Sequence, residues 1–275
     1  MQKRCFPICA ALLFLAVTFG LTACDNENGV GYKRYENAAS YAVGNVDLDG
    51  SACTKVEIDW LGGSIEIEES ADGLRVIEDG ANSRLIHMDE RMHYYLDGSV
   101  LKIKYCVAGY RGKIDETGKN LRVELPKGVS IEVDCTSANT VVGVIETPAF
   151  FFESDTGNLN AERIRCSRAE LETVGGELNI GDIAADELSA ESVRGNMQFG
   201  FSESVRAELE NERGDIRLCL RGVGAQLVLE NGASVVTDRA YTQNGRVYEF
   251  AQTLDGEAKL CMIEAETGSG KIYVK

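Results

Sequence analysis

AELETVGGELNI, residues 169–180, is one copy of a twelve-residue phrase that recurs along the chain and decides its fold. The phrase reads apolar, any, apolar, acidic, Ser/Thr/Asn-like, any, any, Gly, any, apolar, any, apolar. Regular copies start at a constant interval: FFFESDTGNLNA at Phe150, the copy at Ala169, LSAESVRGNMQF at Leu188 and AELENERGDIRL at Ala207. Self-similarity at a fixed period of about 19 residues is typical of stacked repeat architectures.

Three less regular copies extend the repeat over most of the chain. IEVDCTSANTVV starts at Ile131, at the same interval before the next copy, and has Ala138 in the glycine position. VEIDWLGGSIEI starts at Val56 and IEAETGSGKIYV starts at Ile263. The architecture therefore runs from the first third of the chain to its last residues.

Apolar and polar residues alternate on both sides of the glycine within each phrase. Leu171 alternates with Glu170 and Glu172, and this period of two predicts strands with one buried face. The glycine then lies at a bend, where a positive φ or a close backbone approach is needed. Because a single coil cannot bury its own apolar face, neighbouring coils must stack about 4.8 Å apart. We predict an all-β fold, a parallel β-solenoid (a β-roll or β-helix) with coils of about 19 residues.

Stacking in register places equivalent residues in columns along the array. The residue after the second apolar position points outward, and we call this set the acidic column: Asp134, Glu153, Glu172, Glu191 and Glu210. We interpret it as a candidate site for a divalent cation or a basic partner. The alternative is that these carboxylates only point into water and prevent association by the edges. The next residue points inward at the bend, where small polar side chains can bond turn amides. We call that set the bend column: Cys135, Ser154, Thr173, Ser192 and Asn211.

Residues 1–24 resemble the export signal of a bacterial lipoprotein. Lys3 and Arg4 give a positively charged start, and residues 10–20 form an apolar segment too short for a comfortable membrane span. Leu21-Thr22-Ala23-Cys24 then resembles a lipobox. The resemblance implies cleavage before Cys24, its acylation, and a lipid anchor on the extracytoplasmic face of the cell membrane. An ordinary secretory signal with a coincidental cysteine is the alternative.

The composition is strongly acidic and limits the class of partner. The net charge is −16, and residues 1–23 contain two basic and no acidic residues, so the mature protein would carry −18. Such a surface repels nucleic acid and anionic lipid headgroups. It is compatible with basic partners and divalent cations.

The region before the regular array predicts antiparallel hairpins. In HYYLDGSVLKIKY, residues 93–105, Asp97-Gly98 between alternating runs predicts a two-residue turn. LRVELPKGVSIEVD, residues 121–134, ends one strand in Leu-Pro, turns at Lys127-Gly128 and leads into the repeats. This order resembles the bacterial family named "putative adhesin", a family of β-solenoids, over about residues 50–275. The resemblance implies an exported or membrane-tethered protein and supplies no catalytic residues.

These patterns divide the chain into three parts. Residues 1–23 are interpreted as a lipoprotein signal peptide, residues 24–50 as the lipidated cysteine and a flexible tether, and residues 51–275 as a single β-solenoid adhesin-like domain. The repeat period slips after Leu218, and we expect a cap-like hairpin or an irregular coil over residues 235–262.

The residues that most often carry chemistry form no convergent set. The chain has no phosphate-binding loop, nucleophile elbow or zinc-protease motif, and no Cys-x-x-Cys pair that would indicate structural zinc. His87 and His93 are interpreted as surface or half-buried residues. Cys135 and Cys166 are expected to be buried free thiols, whereas Cys106 and Cys219 are better candidates for a disulfide.

We therefore expect a non-enzymatic, lipid-anchored protein of the cell envelope that needs no cofactor. It would bind an envelope protein, a glycan or a divalent cation through its acidic surface. Two alternatives remain: an enzyme of the β-helix class acting on polysaccharide, and a regulatory lipoprotein that senses envelope stress. Coils without insertions leave little room for the substrate cleft that the enzyme would need.

Overall fold

The computed structural model describes residues 31–80, 87–112, 114, 119–230, 233–253 and 259–275. These ranges contain 22 β-strands and three short 3-10 helices, at Ala38–Ser40, Gly50–Ala52 and Met88–Glu90. The all-β class predicted from the sequence is confirmed. The predicted signal peptide and Cys24 lie outside the described residues. In the part of the chain that is described, no helix has the length and hydropathy of a membrane span.

The strands are short, and two of them are long enough to pass round a corner of the fold. The N-terminal ten are β1 Ala42–Val43, β2 Val46–Leu48, β3 Lys55–Trp60, β4 Ser64–Ser70, β5 Leu74–Gly80, β6 His93–Asp97, β7 Val100–Lys104, β8 Lys119–Pro126, β9 Ser130–Cys135 and β10 Asn139–Glu146. The others are β11 Ala149–Ser154, β12 Leu159–Thr173, β13 Leu178–Ser192, β14 Met197–Phe201, β15 Arg206–Asn211, β16 Ile216–Leu220, β17 Gly224–Leu229, β18 Ser234–Thr237, β19 Tyr241–Asn244, β20 Val247–Phe250, β21 Leu260–Thr267 and β22 Lys271–Val274.

Parallel pairing between successive phrases forms the body of the fold. The segments before the glycine make a first sheet, in which Phe150 pairs with Ala169 and Ala169 with Leu188. The segments after the glycine make a second sheet, in which Leu159 pairs with Leu178. Each partner is the equivalent residue of the next phrase along the chain. The apolar residues of both sheets face one another in a single hydrophobic core.

Strands near both ends of the sequence are inserted between other strands. β21 lies between β15 and β17, and β22 lies between β16 and β18. In the N-terminal part, β3 lies between β7 and β9, and β4 lies between β8 and β10. The order of coils in space therefore differs from their order in the sequence at both ends of the array.

Antiparallel hairpins lie at both ends of the array, as the sequence predicts. β6 and β7 form the N-terminal hairpin, although its loop is Gly98-Ser99, one residue later than predicted, because Asp97 already pairs with Val100. At the other end β19 pairs with β20, which in turn pairs with β17. This second hairpin lies within the range where a cap-like hairpin is expected.

The predicted tether is wrong for residues 31–50, which are part of the domain. Tyr32 is only 1% exposed, β1 pairs with β6, and β2 pairs with β5. The paired segments are only two and three residues long, so they are too short to show alternation in the sequence. Residues 24–30 of the predicted tether lie outside the described residues.

The regular copies of the phrase have glycine at the bend because the backbones of adjacent coils approach closely there. A Cβ on Gly176 would lie 1.9 Å from the carbonyl oxygen of Gly157, and one on Gly195 would lie 1.6 Å from that of Gly176. Both glycines have ordinary φ values, since neither is among those with positive φ. Close approach is therefore the reason at these two positions, whereas Gly63 of the copy at Val56 combines close approach, 1.9 Å from the Lys119 carbonyl oxygen, with a φ of 84°.

The bend column has the structural role predicted for it. The Thr173 Oγ1 accepts a hydrogen bond of 2.8 Å from the amide of Gly176, and the Ser192 Oγ accepts one of 2.9 Å from Gly195. The Asn211 side chain accepts from Gly214 at 2.6 Å and donates to the Gly195 carbonyl of the adjacent coil at 2.7 Å. These bonds satisfy backbone amides at the bend that form no hydrogen bond with a neighbouring strand.

Side-chain amides form two hydrogen-bonded rows along the outer surface of the second sheet, one through Asn139 and Asn158 and the other through Asn160, Asn179 and Gln198. The Asn158 Nδ2 donates to the Asn139 Oδ1 at 3.0 Å, and the Gln198 Nε2 donates to the Asn179 Oδ1 at 3.1 Å. Such amide ladders stabilise in-register stacking because each rung bonds the next. These amide hydrogen bonds were not predicted from the sequence.

The close approach at the bend predicts very different effects for two adjacent glycines. Gly176→Ala should lower the free energy of unfolding by at least about 2 kcal/mol, because its Cβ collides with a carbonyl oxygen that cannot move freely. Gly175→Ala is the matched control, since its Cβ would have its nearest neighbour at 3.5 Å. Urea unfolding of both variants measures the difference. Equal losses would contradict the close-approach account.

Candidate binding face

The acidic column predicted from the sequence is a continuous row on the outer surface of the first sheet. Asp134 pairs with Glu153, and the pairing continues through Glu172, Glu191 and Glu210. The row is longer than predicted, because Asp59 pairs with Asp134 at one end and Glu266 pairs with Glu210 at the other. Neighbouring strands lie about 4.8 Å apart, so the row presents one carboxylate per strand.

A second acidic row runs beside the column, two residues earlier on each strand. Its register is Glu57 with Glu132, Phe151 with Glu170, Ser189 with Glu208, and Glu208 with Glu264. This row was not predicted from the sequence, because that position of the phrase accepts any residue. Glutamate at most copies of the position was the available signal. We call both rows together, with Asp59 and Glu266, the acidic face.

A shallow groove of about 350 Å³ follows the acidic column at the bend. Glutamates of five successive strands form one wall, and residues just beyond the bend form the other. The lining includes Glu153, Glu172, Glu191, Glu210, Glu266, Val174 and Val193. The groove therefore extends across five adjacent strands and is lined by a carboxylate of each one.

Burial and repulsion by neighbouring carboxylates raise the pKa values of Glu153, Glu172 and Glu210 in the groove. For Glu172 the main cause is burial, followed by the negative charges of Glu191 and Glu170. The pKa values of Glu153 and Glu210 are raised in the same way, by burial and then by neighbouring carboxylates. The carboxylates of the column therefore repel one another, and a positively charged partner would reduce this repulsion.

A lysine of the protein itself already neutralises one end of the column. The Lys33 Nζ lies 2.8 Å from the Asp59 Oδ2 and 3.6 Å from the Asp134 Oδ2, so one ammonium group bridges two successive strands. The Lys104 Nζ is 2.9 Å from the same Asp59 oxygen. Burial lowers the pKa of Lys33, but the attraction of Asp59 and Asp134 outweighs it and raises the pKa overall.

The other residues considered from the sequence take structural roles. The buried His93 ring hydrogen-bonds the Arg91 carbonyl oxygen through Nδ1 at 2.8 Å, and the exposed His87 caps a 3-10 helix. The cysteines from Cys53 to Cys261 are free thiols, so Cys106 and Cys219 form no disulfide. Cys135 is buried as predicted, whereas Cys166 is only half-buried. Among the described residues, no three His, Cys, Asp or Glu side chains are arranged to hold a metal ion.

One family model and several solved structures are similar to this chain. A family model described as Toastrack DUF4097 matches residues 108–272. Solved structures give similarity to a "putative adhesin" from Bacteroides fragilis NCTC 9343, with 13% identity, a TM-score of 0.47 and coverage of 89% of this chain and 100% of that one. A "putative adhesin" from Parabacteroides distasonis ATCC 8503 has 10% identity, a TM-score of 0.46 and coverage of 86% and 97%.

A third similar structure is a "putative lipid binding protein", also from Parabacteroides distasonis ATCC 8503. It has 14% identity, a TM-score of 0.32 and coverage of 88% of this chain and 100% of that one. Comparison with curated proteins gives no match. Structural similarity at this level says nothing about what this chain binds.

The raised pKa values predict how charge removal changes stability with pH. Glu172→Gln should raise the free energy of unfolding at pH 7 by several tenths of a kcal/mol, as expected for relief of like charges on adjacent strands. The folded pKa lies above the ordinary value of 4.5. The penalty of the charge is therefore full above the folded pKa and disappears as the pH falls below 4.5.

Thermal or urea unfolding at several pH values measures this effect. Glu162→Gln is the control, because Glu162 is an exposed β12 residue outside the acidic face. An equal and pH-independent change in both variants would show that the column carries no repulsion.

Proposed function

The chain belongs to the Toastrack DUF4097 family, and from this premise we propose that it is a non-enzymatic, adhesin-like binding protein of the cell envelope. It is held outside the cytoplasmic membrane by a lipid on Cys24. Stacked coils, one for each copy of the repeated phrase, present the acidic face to a positively charged partner.

The bridge made by Lys33 is the observation that supports this proposal. The Lys33 ammonium lies between carboxylates of two adjacent strands, at 2.8 and 3.6 Å, and a partner's ammonium group would lie between neighbouring carboxylates of the column in the same way. The same arrangement of carboxylates continues along the strands of Glu153, Glu172, Glu191 and Glu210. An extended segment of a partner protein that lies in the groove can place several ammonium groups there at once.

The strength of such binding follows from the exposure of the carboxylates. A solvated ion pair contributes only about 0.2–1 kcal/mol, so a single lysine would bind too weakly to be specific. Several pairs formed together reach a useful affinity, and solvated pairs weaken as salt is added. We therefore propose a lysine-rich partner segment of several residues as the ligand, with divalent cations as the weaker candidate.

A lysine-containing peptide tests the proposed function directly. A fluorescent peptide of alternating lysine and serine should bind the wild-type protein, and added salt should weaken the binding. The variant with Glu153, Glu172, Glu191 and Glu210 all replaced by Gln should bind about tenfold more weakly, which corresponds to four pairs of about 0.35 kcal/mol each. Fluorescence anisotropy measures both affinities.

A control variant with the same change in net charge at other positions distinguishes binding at the acidic column from an effect of the overall charge. Glu66, Glu68, Glu162 and Glu177 are exposed residues on strands or bends of the second sheet, away from the acidic column. Replacing all four by Gln should leave peptide binding nearly unchanged. Equal losses in both variants would reject a localised site. Calorimetric titration with calcium alone tests the cation alternative, which requires heat that the acidic-column variant loses.

The lipid anchor is tested independently of binding. In a bacterial host, the full chain should incorporate labelled fatty acid and sediment with membranes. Cys24→Ser should abolish both, because the sulfur that accepts the diacylglyceryl group is removed. Gel fluorography and fractionation measure the outcome, and Cys53→Ser is the control. Labelling that persists in Cys24→Ser would contradict the proposed anchor.

A further inference from the structure

Six aromatic side chains form a continuous row in the N-terminal part of the array. The successive ring centroids are 4.8, 6.4, 6.2, 4.7 and 5.4 Å apart. We call it the aromatic row, in the order Trp60, Tyr105, Tyr32, Tyr35, Tyr41 and Tyr95. Aromatic pairs at these distances stabilise packing. The short distances also allow an electron to move from one ring to the next.

The row connects the core with the surface. Trp60, Tyr105 and Tyr32 are each 1% exposed, whereas Tyr41 and Tyr95 are half-buried. A solute can therefore react with the outer tyrosines and has no access to the inner rings. An electron removed from an outer ring can be replaced only through the row or from the solvent.

Tyr32 has the proton acceptor that a neutral tyrosyl radical needs. Its phenol donates a hydrogen bond of 3.0 Å to the Asp59 Oδ1. Burial, followed by the charge of Asp59, raises the pKa of Tyr32 well above 10, so the phenol stays protonated until it is oxidised. Oxidation and proton transfer to Asp59 can then occur together.

A buried ammonium group disfavours positive charge at the inner end of the row. The Lys119 Nζ lies 4.0 Å from the Tyr105 ring centroid and 5.0 Å from that of Trp60. It is held there by Glu78, whose Oε1 is 2.7 Å away. Positive charge so close to a ring opposes formation of a radical cation on that ring. The Lys104 Nζ is farther from the ring that it faces, at 5.7 Å from the Tyr35 centroid, so an electron vacancy that enters from the surface should pass Tyr35 and stop at Tyr32.

We propose that the aromatic row carries single oxidising equivalents from the surface to Tyr32, where they are held as a neutral tyrosyl radical. The oxidant is a one-electron acceptor in solution, such as a peroxyl radical, which takes one electron from Tyr95 or Tyr41. Electrons then move outward along the row, and the outer tyrosine recovers its proton from water. Tyr32 loses one electron to the row and one proton to Asp59, which becomes a carboxylic acid.

This activity would make the domain a sink for one-electron oxidants, and it does not depend on the acidic column binding a partner. Photogenerated tris(bipyridine)ruthenium(III) is a suitable probe, because it removes one electron from exposed tyrosines. Electron paramagnetic resonance of the wild-type protein, frozen after illumination, should show a tyrosyl radical. Tyr32→Phe should lower the yield of the long-lived signal at least tenfold.

Two further variants keep the test decisive if Tyr32→Phe impairs folding. Tyr41→Phe leaves Tyr32 and Asp59 in place but interrupts the row, since phenylalanine is not oxidised by this probe. It should lower the long-lived signal at least fivefold. Tyr248→Phe is the control, because Tyr248 stacks on Tyr241 in a separate aromatic cluster. A signal that is the same in wild type, Tyr41→Phe and Tyr32→Phe would overturn the proposal.

Discussion

The close contact between backbones at each bend is the constraint on which the structure depends. A glycine allows one coil to approach the carbonyl oxygen of the coil before it, and a Ser, Thr or Asn three residues earlier bonds the glycine amide. Both contacts repeat from coil to coil, so they hold the chain in one register. Every row of like side chains follows from that register, including the amide ladders and the carboxylates of the acidic face.

In-register stacking sets the electrostatics as well as the shape. A charged position in the phrase is copied on each strand, so charges accumulate about 4.8 Å apart instead of being averaged over the surface. The raised pKa values of Glu153, Glu172 and Glu210 are one result. The position of Lys33 between Asp59 and Asp134 is another, because that ammonium relieves repulsion that the register itself creates.

The repeated part of the chain could be predicted from the sequence, and the irregular ends could not. Alternation around the bend glycine predicted the parallel pairing of the strands, and it predicted that Glu172 points outward and Thr173 inward. Residues 31–50 were assigned wrongly because their strands are too short for a pattern. The insertion of β21 between β15 and β17 depends on long-range pairing, which leaves no local signal. The second acidic row was visible in the sequence and was missed because Phe151 and Ser189 interrupt it.

The inserted strands restrict the order in which the protein can be assembled. A repeat polypeptide that is synthesised from its N-terminus would ordinarily add each new coil to the previous one. Here β17 and β18 have no direct partner among the earlier coils, because β21 lies between β15 and β17 and β22 lies between β16 and β18. Strands β14 to β16 can dock as they are synthesised and β17 can pair with β20, but this hairpin joins the array only once β21 and β22 are in place.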